Sequence, residues 1–420
     1  MYGEIIAIGD ELLSGKVINT TSSFAARKLM EAGYEIKRIS IIGDNPKDIK
    51  QSLLTAITRS KFVIITGGLG PTSDDITNEV VADALGLKLI LNQEIFNRII
   101  EVEKRLGLKH SKMREKLAWL PEGAEVLNPK GSAAGYLLLY KDMPLFFLPG
   151  VPEQLKDHMV NQVIPRLNKL LPTNLIVKQH LFRTFGLQET DINEMFFDLE
   201  RSSELLTIGY YPKFPEVHIT ITVKGTNKEE IDKVFLKGCE EIRKILGDAI
   251  IAEGEETLES VLGNLLLKKQ AQLSVAESCT GGLIAKRITG VPGASNWFDR
   301  GVVTYSNQAK QEILGVSSET LENYGAVSRQ CCHEMVSTDA FKTPYALAVT
   351  GIAGPSGGSK EKPVGTVFIG LKTPEKIVVE RFWFPGNRIR VQQLTAQTAL
   401  DWLRRHLLNG SYVPGYRPAK

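Results

Sequence analysis

Along the first 170 residues, apolar segments with strand character alternate with segments in which apolar residues recur at helical spacing. Strand patterns occur at 4–8, 35–42 and 62–66, and helical patterns at 21–31 and 46–59. Regular alternation of this kind predicts a parallel sheet that is covered by helices on both faces. Residues 1–170 are therefore predicted to form a doubly wound α/β domain.

The pattern changes after the sequence LPTN at 171–174. The order strand, helix, strand, strand, helix, strand then predicts a small α+β module of βαββαβ type over residues 171–253. Such a module can bind RNA, but this one lacks a Gly-x-x-Gly loop and an aromatic-rich strand. A spacer or dimerisation role is the preferred interpretation. A second linker, EGEET at 253–257, precedes a third domain, of α/β class, predicted over residues 254–415.

The third domain contains the segment AESCTGG at 276–282, in which a buried strand turns into a helix at Ser278. The N–H groups at the start of a helix have no internal partner, and glycine lets a ligand approach them closely. A hydroxyl beside such donors can attack a carbonyl carbon while the donors stabilise the oxyanion. The alternative is that Ser278 only caps the helix, and this segment alone does not decide between the two.

A serine nucleophile needs a base, and no His-Asp pair is evident in this domain. Lys310 follows the predicted strand that ends at Tyr305, and it can face Ser278 if the two strands are neighbours in the sheet. Burial or a nearby helix N-terminus would lower its pKa toward neutrality. The alternative is that Lys310 is a solvated lysine on the surface of a helix, and its spacing in the sequence, taken alone, favours this alternative. Tyr305 can relay or orient the proton.

Two further segments are predicted at the same edge of the sheet. The loop at 350–358 follows a strand, and Arg388 and Arg390 begin the last helix, where a cation is unfavourable unless an anion is present. Arginine binds phosphate or carboxylate in bidentate fashion, so the set fits hydrolysis of an amide on a phosphorylated small molecule. The candidate oxyanion and substrate-binding residues are Cys279, Thr280, Gly281, Gly282, Thr350, Gly351, Gly354, Arg388 and Arg390.

In the first domain, GDELLSG at 9–15 and GGLGPTSDD at 67–75 each follow a predicted strand, and PGVPE at 149–153 follows a third. Glycine-rich backbone can approach phosphate closely, and carboxylates can hold a hard cation that bridges phosphate oxygens. The alternative is that the glycines form turns and Asp74 and Asp75 cap the next helix. The candidate residues are Asp10, Glu11, Asn19, Gly67, Gly68, Gly70, Pro71, Thr72, Asp74, Asp75 and Glu153, with Asp74 and Asp75 as the metal ligands.

Composition narrows the class of partner. The formal net charge of the 420 residues is only +3, and no dense Lys/Arg block occurs, so nucleic acid and anionic membrane are not expected partners. No apolar run approaches the ~20 residues that span a bilayer. The four cysteines show no metal-binding spacing. Since the first residues also lack the basic region of a signal peptide, a cytoplasmic location is expected.

These motifs together resemble the CinA family of competence/damage-inducible proteins. The segments at 9–15, 67–75 and 149–153 look like its molybdopterin-binding-type domain, and those at 276–282, 305–310 and 350–355 look like its C-terminal domain. The C-terminal segments are also similar to stand-alone nicotinamide-nucleotide amidases. The resemblance implies a KH-like middle module and a homodimer.

The resemblance further implies a bifunctional enzyme of pyridine-nucleotide salvage. Its C-terminal domain would convert nicotinamide mononucleotide to nicotinic acid mononucleotide and ammonia without a metal, with Ser278 as nucleophile, Lys310 as base and Tyr305 assisting. Its N-terminal domain would cleave ADP-ribose to AMP and ribose 5-phosphate with a divalent metal, Mg²⁺, Co²⁺ or Mn²⁺, with K⁺ as a further option. The alternatives are a molybdopterin binder and a non-enzymatic adaptor in DNA uptake or repair.

Overall fold

The computed structural model describes residues 1–128, 135–187 and 189–415, with all of their side chains except those of residues 189, 190 and 193. The chain packs as two compact units. One comprises Met1–Lys178 and Lys224–Ile231, and the other comprises Gln179–Val223 and Asp232–Lys420. A search of the described ranges finds no helix with the length and apolar character needed to cross a membrane.

The first unit is built on a mixed sheet. Its strands are β1 (Tyr2–Ile8), β2 (Glu35–Ile42), β3 (Val63–Thr66), β4 (Leu89–Leu91), β5 (Trp119–Pro121), β6 (Glu125–Val126), β7 (Tyr136–Tyr140) and β8 (Met143–Leu148). The main sheet has the order β2-β1-β3-β8-β7-β6, and β4 pairs with β5 separately. Strands β2, β1, β3 and β8 run parallel, but β7 and β6 are antiparallel additions at one edge.

The strands predicted from the sequence are parallel as expected, whereas the antiparallel strands β7 and β6 at this edge were not predicted. Lys141 and Asp142 form a two-residue turn with φ of 50° and 65°, which folds β8 back against β7. Positive φ at both central residues is the geometry of the tight turns that join antiparallel strands. The three predicted loops still lie at one sheet edge, because β1, β3 and β8 belong to the parallel part.

Helices cover both faces of this sheet. They are α1 (Asp10–Leu13), α2 (Thr20–Glu31), α3 (Pro46–Arg59), α4 (Thr77–Leu85), α5 (Gln93–Arg105), α6 (Lys112–Glu115), α7 (Pro152–His158) and α8 (Ile164–Leu170), with a 3-10 turn at Lys116–Ala118 and a π turn at Met159–Val163. Ile6 of β1 packs in a cluster with α3 and α4, whereas its neighbour Ile5 packs in another with α2 and α7. Successive strand residues thus face opposite helical layers, as the doubly wound prediction requires.

The middle module has strands β9 (Ile176–Thr184), β10 (Leu206–Lys213), β11 (Glu216–Gly225) and β12 (Ile250–Glu253), and helices α9 (Glu189–Met195), α10 (Phe197–Glu200) and α11 (Lys228–Leu246). A 3-10 turn at Gly247–Ala249 precedes β12. The strand order is β10-β11-β9-β12. The predicted βαββαβ order is confirmed, except that the first helix is divided into α9 and α10.

The C-terminal domain has strands β13 (Leu273–Glu277), β14 (Phe298–Val303), β15 (Tyr345–Gly351), β16 (Thr366–Lys372) and β17 (Ile377–Trp383). Its helices are α12 (Leu258–Lys268), α13 (Leu283–Thr289), α14 (Asn307–Leu314), α15 (Ser318–Asn323), α16 (Arg329–Ser337) and α17 (Arg388–Asn409), with a 3-10 turn at Ala294–Asn296. The sheet order is β14-β13-β15-β16-β17. Helices α12, α13 and α17 pack on one face, and α16 packs on the other.

Candidate functional site

The order of three parallel strands places the predicted chemistry of the C-terminal domain at one edge. Strand β13 lies between β14 and β15 and is parallel to both. Ser278 directly follows β13, Lys310 lies on α14 beyond β14, and Gly354 lies in the loop beyond β15. The carboxyl ends of parallel strands meet at the same edge of a sheet, so these residues converge although they are distant in sequence.

Ser278 and Lys310 are in direct contact. The Nζ atom of Lys310 lies 2.9 Å from Oγ of Ser278 and donates a hydrogen bond to the carbonyl oxygen of Thr304 at 2.7 Å. Lys310 is 1% exposed and Ser278 is 8% exposed, so the solvated-lysine alternative is wrong. Burial lowers the pKa of Lys310, because desolvation disfavours the ammonium form. The geometry thus pairs a hydroxyl with an amine that has an increased tendency to be neutral.

A carboxylate of the chain itself occupies the start of α13. The Glu277 side chain accepts hydrogen bonds from the N–H groups of Gly282, Ile284 and Ala285 at 3.0, 3.1 and 2.8 Å. The N–H of Gly281 donates to the Ser278 carbonyl oxygen in a turn. The prediction that Gly281 and Gly282 supply free donors to an anion is therefore wrong. The residue in the N-cap position is Gly282, so the reading of Ser278 as a helix cap is wrong as well.

The remaining donors in the turn are the N–H of Cys279, which interacts with the residue's own thiol, and the N–H of Thr280, which has no acceptor among the described residues. Thr280 is buried, and its hydroxyl also lacks a partner within the described ranges, as does that of Thr304. Burial raises the pKa of the Cys279 thiol to about 12, which leaves little thiolate at neutral pH. The turn therefore offers donors for an oxyanion but no thiolate that would compete with Ser278.

Tyr305 does not contact the Ser278 and Lys310 pair in the described hydrogen bonds. Tyr305 is 60% exposed, and its hydroxyl accepts a hydrogen bond from Nη2 of Arg388. Nη1 of the same arginine donates to the carbonyl oxygen of Gly354 at 2.8 Å. Tyr305, Arg388 and Gly354 thus form a hydrogen-bonded group of their own at the rim.

The two predicted arginines, Arg388 and Arg390, lie on different faces of helix α17. Arg388 and Gln392 are four residues apart on one face of the helix: Arg388 contacts the loop after β15, and Nε2 of Gln392 donates to the Cys279 carbonyl oxygen, in the turn after β13, at 2.8 Å. Arg390 lies on another face, where its guanidinium stacks over the ring of Phe214, 4.0 Å from the centroid, in the middle module. The structure therefore groups Arg388, and not Arg390, with Ser278.

Two further residues that were predicted at this site, Thr350 and Gly351, have structural roles. The hydroxyl of Thr350 donates to the Ala326 carbonyl oxygen, and Gly351 ends β15.

Sequence reasoning did not identify three residues of this site: Glu277, Thr304 and Gln392. For Glu277 a signal was available, since an acidic residue at the buried end of a strand needs hydrogen-bond donors. For Thr304 and Gln392 no local signal exists, because their roles depend on which strands and helices are neighbours.

The first unit contains a cavity of about 630 Å³ at the carboxyl ends of β1, β3 and β8. Of the predicted residues, those that line it are Glu11, Gly67, Gly68, Gly70, Pro71, Asp74 and Asp75. Asp10, Asn19, Thr72 and Glu153 do not line it. Asn19 caps α2 and Glu153 pairs with Lys156 at the surface, whereas Thr72 bonds the carboxylate of Asp75 through its N–H and hydroxyl groups.

Acidic side chains at this cavity interact with one another. Asp44 accepts a hydrogen bond from the N–H of Asp10, and the Asp10 carboxylate accepts one from the N–H of Asp44. Burial, and then the nearby charges of Asp10, Glu11 and Asp74, raise the pKa of Asp44. A bound cation would reduce the repulsion between these negatively charged carboxylates. Across the described residues, however, no three or more His, Cys, Asp or Glu side chains are grouped to hold a metal.

Family comparisons match three segments of the chain. Residues 4–169 match the model described as "Probable molybdopterin binding domain", residues 179–252 match "Damage-inducible protein CinA KH domain", and residues 255–407 match "CinA C-terminal domain". These matches agree with the predicted fold class, a doubly wound molybdopterin-binding-like domain, a KH-like module and a C-terminal α/β domain.

Two curated relatives extend over nearly the whole chain. A "CinA-like protein" of Desulfotalea psychrophila is 46% identical over 96% of this chain and 98% of its own length. A "CinA-like protein" of Dictyoglomus thermophilum is 41% identical over 97% of this chain and 100% of its own. The solved competence/damage inducible protein CihA of Agrobacterium tumefaciens is 40% identical and covers 35% of this chain and 93% of that one, with a TM-score of 0.33.

The fold and the near full-length matches define a competence/damage-inducible type of protein with an N-terminal molybdopterin-binding-like domain. The chain belongs to the CinA family.

Proposed function

We propose that the C-terminal domain is a serine amidohydrolase that converts nicotinamide mononucleotide to nicotinic acid mononucleotide and ammonia. The observation that carries this proposal is the 2.9 Å contact between Oγ of Ser278 and the buried Nζ of Lys310. A serine hydroxyl is a weak nucleophile unless a base removes its proton, and here a base is already within reach. The substrate is taken from the family resemblance.

In the first step, neutral Lys310 takes the proton of Ser278 as Oγ attacks the carboxamide carbon. The N–H groups of Cys279 and Thr280 stabilise the resulting oxyanion. Lys310 then gives its proton to the leaving nitrogen, and ammonia departs as the acyl-enzyme forms. Finally, a water molecule loses a proton to Lys310 and attacks the ester carbon. The bond to Oγ then breaks, Lys310 returns the proton to Oγ, and the acid is released.

Arg388 and Tyr305 are assigned to substrate binding in this proposal. Their guanidinium and phenol groups are joined by a hydrogen bond at the rim, and Arg388 is fixed by the Gly354 carbonyl oxygen. An arginine held in one orientation is well suited to bind the phosphate of a mononucleotide. Tyr305 then assists by positioning Arg388, and Tyr305 takes no part in the proton transfer between Ser278 and Lys310.

The test is ammonia release from nicotinamide mononucleotide by the purified full chain. Ser278→Ala is expected to abolish turnover, whereas Cys279→Ala, which removes the neighbouring thiol, is expected to retain it. Thermal melting of both variants controls for folding. Turnover that persists in Ser278→Ala, or that is lost in a folded Cys279→Ala, would assign the nucleophile differently.

For the N-terminal domain we propose metal-dependent cleavage of ADP-ribose to AMP and ribose 5-phosphate. The specific observation in favour is the cavity in which the glycine loops at 67–70 and 149–150 meet the carboxylates of Glu11, Asp44, Asp74 and Asp75. Mg²⁺, Co²⁺ or Mn²⁺ would be held by one or two of these carboxylates together with water and substrate phosphates, as is usual for Mg²⁺. When bound, the metal would neutralise charge on the diphosphate.

A pterin carrier without hydrolytic activity and an adaptor in DNA uptake are the competing functions. Incubation with ADP-ribose and each metal decides between them. AMP that forms in the parent protein and not in the double variant Asp74→Asn, Asp75→Asn supports hydrolysis. A pterin that co-purifies in the absence of AMP formation supports the carrier, and DNA retention that weakens with salt supports the adaptor.

A further inference from the structure

Helix α17 makes two sets of contacts on two of its faces. Arg388 and Gln392 contact the loops after β15 and β13. Arg390, Gln397 and Arg404 contact the middle module, and they follow one another at intervals of seven residues. Seven residues make almost two full turns of an α-helix, so these three side chains form a single stripe along it. Since Arg390 is two positions after Arg388, the stripe lies nearly opposite the substrate arginine.

The stripe meets the middle module where β10 turns into β11. Phe214 lies in the two-residue turn that joins these strands, and Glu216 is the first residue of β11. The guanidinium of Arg390 lies 4.0 Å from the centroid of the Phe214 ring, and Nε2 of Gln397 donates a hydrogen bond to Oε1 of Glu216 at 3.3 Å. The β10–β11 turn therefore contacts the first half of α17.

The second half of α17 is held more firmly than the first. Arg404 is 2% exposed and pairs with Asp401, and its Nη2 atom also donates to the Asp248 carbonyl oxygen at 2.6 Å. Separating a buried charge from its partners is costly. The contact of Arg390 with the β10–β11 turn is exposed by comparison. The position of the first turn of α17 thus depends on a weaker contact, and Arg388 lies in that turn.

Gln397 also joins the middle module to the helix that follows Ser278. It is fully buried, and while its Nε2 atom donates to Glu216, its Oε1 atom accepts a hydrogen bond from Nη2 of Arg287 at 2.7 Å. Arg287 lies on α13, which begins after the turn that carries Ser278. A buried amide that bonds through both of its polar atoms has a fixed orientation. The β10–β11 turn is therefore connected to both helices that border the candidate site.

We propose that the β10–β11 turn of the middle module positions the substrate arginine of the C-terminal domain. Phe214 acts through Arg390, and this contact holds the first turn of α17 in the orientation that Arg388 needs to bind the substrate phosphate. The proposal rests on the amidase function proposed above and gives the middle module a part in substrate binding. Phe214 is a positioning residue, because it acts through another side chain. The contact between Ser278 and Lys310 is set by β13 and β14, so Phe214 does not affect it.

The experiment measures turnover of nicotinamide mononucleotide by variants of the full chain. Phe214→Leu removes the ring and keeps an apolar side chain, and it should raise KM about two- to fivefold, the size of one exposed cation–π contact, at unchanged kcat. Phe214→Tyr keeps the ring face and should retain the KM of the parent. Phe214 is 40% exposed, so both variants are expected to fold. A contact with only a structural role would lower the denaturant midpoint without raising KM.

Tyr211→Leu is the matched control, because Tyr211 is a 53% exposed aromatic residue of the same hairpin that makes no cation–π contact within the described residues. Its KM should equal that of the parent. Hydrogen exchange of the backbone N–H groups at 391–394 of α17 gives a second readout that does not depend on turnover. Exchange there should be about two- to fivefold faster in Phe214→Leu, and unchanged in Phe214→Tyr and Tyr211→Leu.

The two readouts separate the positioning role from the amidase function. Unchanged exchange in Phe214→Leu overturns the proposal, as does a fall in kcat at constant KM or an equal effect of Tyr211→Leu. A parent protein that releases no ammonia, combined with faster exchange in Phe214→Leu, would reject the amidase function and keep the positioning of Arg388 by the β10–β11 turn.

Discussion

Lys310 is anchored by Thr304 at the same time as it contacts Ser278. The hydrogen bond from Nζ to the Thr304 carbonyl oxygen is 2.7 Å long, and Thr304 directly follows β14. The described part of the chain contains no ion pair that involves Lys310. A carbonyl oxygen accepts a hydrogen bond from a neutral amine as well as from an ammonium. This anchor therefore orients the amine without stabilising its charge as a carboxylate would.

Lys310→Met should abolish ammonia release and stabilise the fold. The methionine has a similar length and no proton to exchange, and loss of a general base costs about 10²- to 10⁴-fold in rate. At pH values below the lowered pKa of Lys310, the parent protein must bury an ammonium group. Methionine carries no charge, so its stabilising effect is expected in this pH range.

The sign of the pH dependence follows from that lowered pKa. Between the folded pKa and the ordinary lysine value of about 10.4, the unfolded chain binds more protons, so the parent gains stability as the pH rises through this window. The difference in unfolding free energy between parent and variant should therefore shrink with increasing pH. A constant difference, or an acidic limb of kcat/KM that remains in the ordinary lysine range, would contradict this account.

Glu277→Gln tests the carboxylate that accepts three backbone N–H groups of the Cys279–Ala285 region. The amide has one acceptor oxygen in place of two, so at least one N–H loses its partner inside the protein. A buried unsatisfied donor costs about 1–3 kcal/mol. The expected result is a lower denaturant midpoint with an unchanged slope, together with reduced turnover because the turn after Ser278 is no longer fixed. A midpoint equal to that of the parent would show that the cap is unimportant.

The position of Ser278 could be predicted from sequence because it depends on local signals. A buried strand, two glycines and a helical pattern in succession define a strand-to-helix turn, and parallel strands bring such turns to one edge. The contact between Lys310 and Ser278 could not be predicted, since it requires β14 and β13 to be neighbours. Sequence patterns near either residue do not encode that pairing.

The structure differs from the sequence prediction at two places, and the physical reasons are different. The antiparallel edge of the first sheet was not predicted, although it had a usable signal, namely two apolar runs separated by Lys141 and Asp142. Arg390 was grouped with Arg388 because both begin α17, but residues two positions apart on a helix face nearly opposite directions. The aromatic partner of Arg390, Phe214, is too far away in sequence to be predicted.

The contrast between the two arginines can be measured. Arg388→Ala should raise KM for nicotinamide mononucleotide with a smaller effect on kcat, because the role proposed for Arg388 is to bind substrate and not to transfer a proton. Arg390→Ala should raise KM much less, since its guanidinium stacks on Phe214 in a contact worth about 0.5–1 kcal/mol at an exposed site. Equal KM effects would return Arg390 to the substrate site.

Tyr305→Phe separates positioning from proton relay. The ring remains and only the hydroxyl that accepts from Arg388 is lost. If Tyr305 positions Arg388, KM should rise severalfold while kcat and its pH profile are kept. A fall in kcat of about 10²-fold, in the range of a lost acid or base, would assign the proton relay to Tyr305 and not to direct transfer between Ser278 and Lys310.

The acidic group of the first unit gives a prediction for metal binding. Burial and the charges of Asp10, Glu11 and Asp74 raise the pKa of Asp44, so that ionised Asp44 destabilises the fold and stability falls as the pH rises through the raised pKa. Mg²⁺ should reverse this loss at neutral pH. At a free concentration ten times Kd, the expected stabilisation is about 1.4 kcal/mol, removable by EDTA. Asp44→Asn should show a smaller Mg²⁺ effect, and Glu153→Gln, outside the cavity, should match the parent. An identical Mg²⁺ response in all three proteins would place the metal elsewhere.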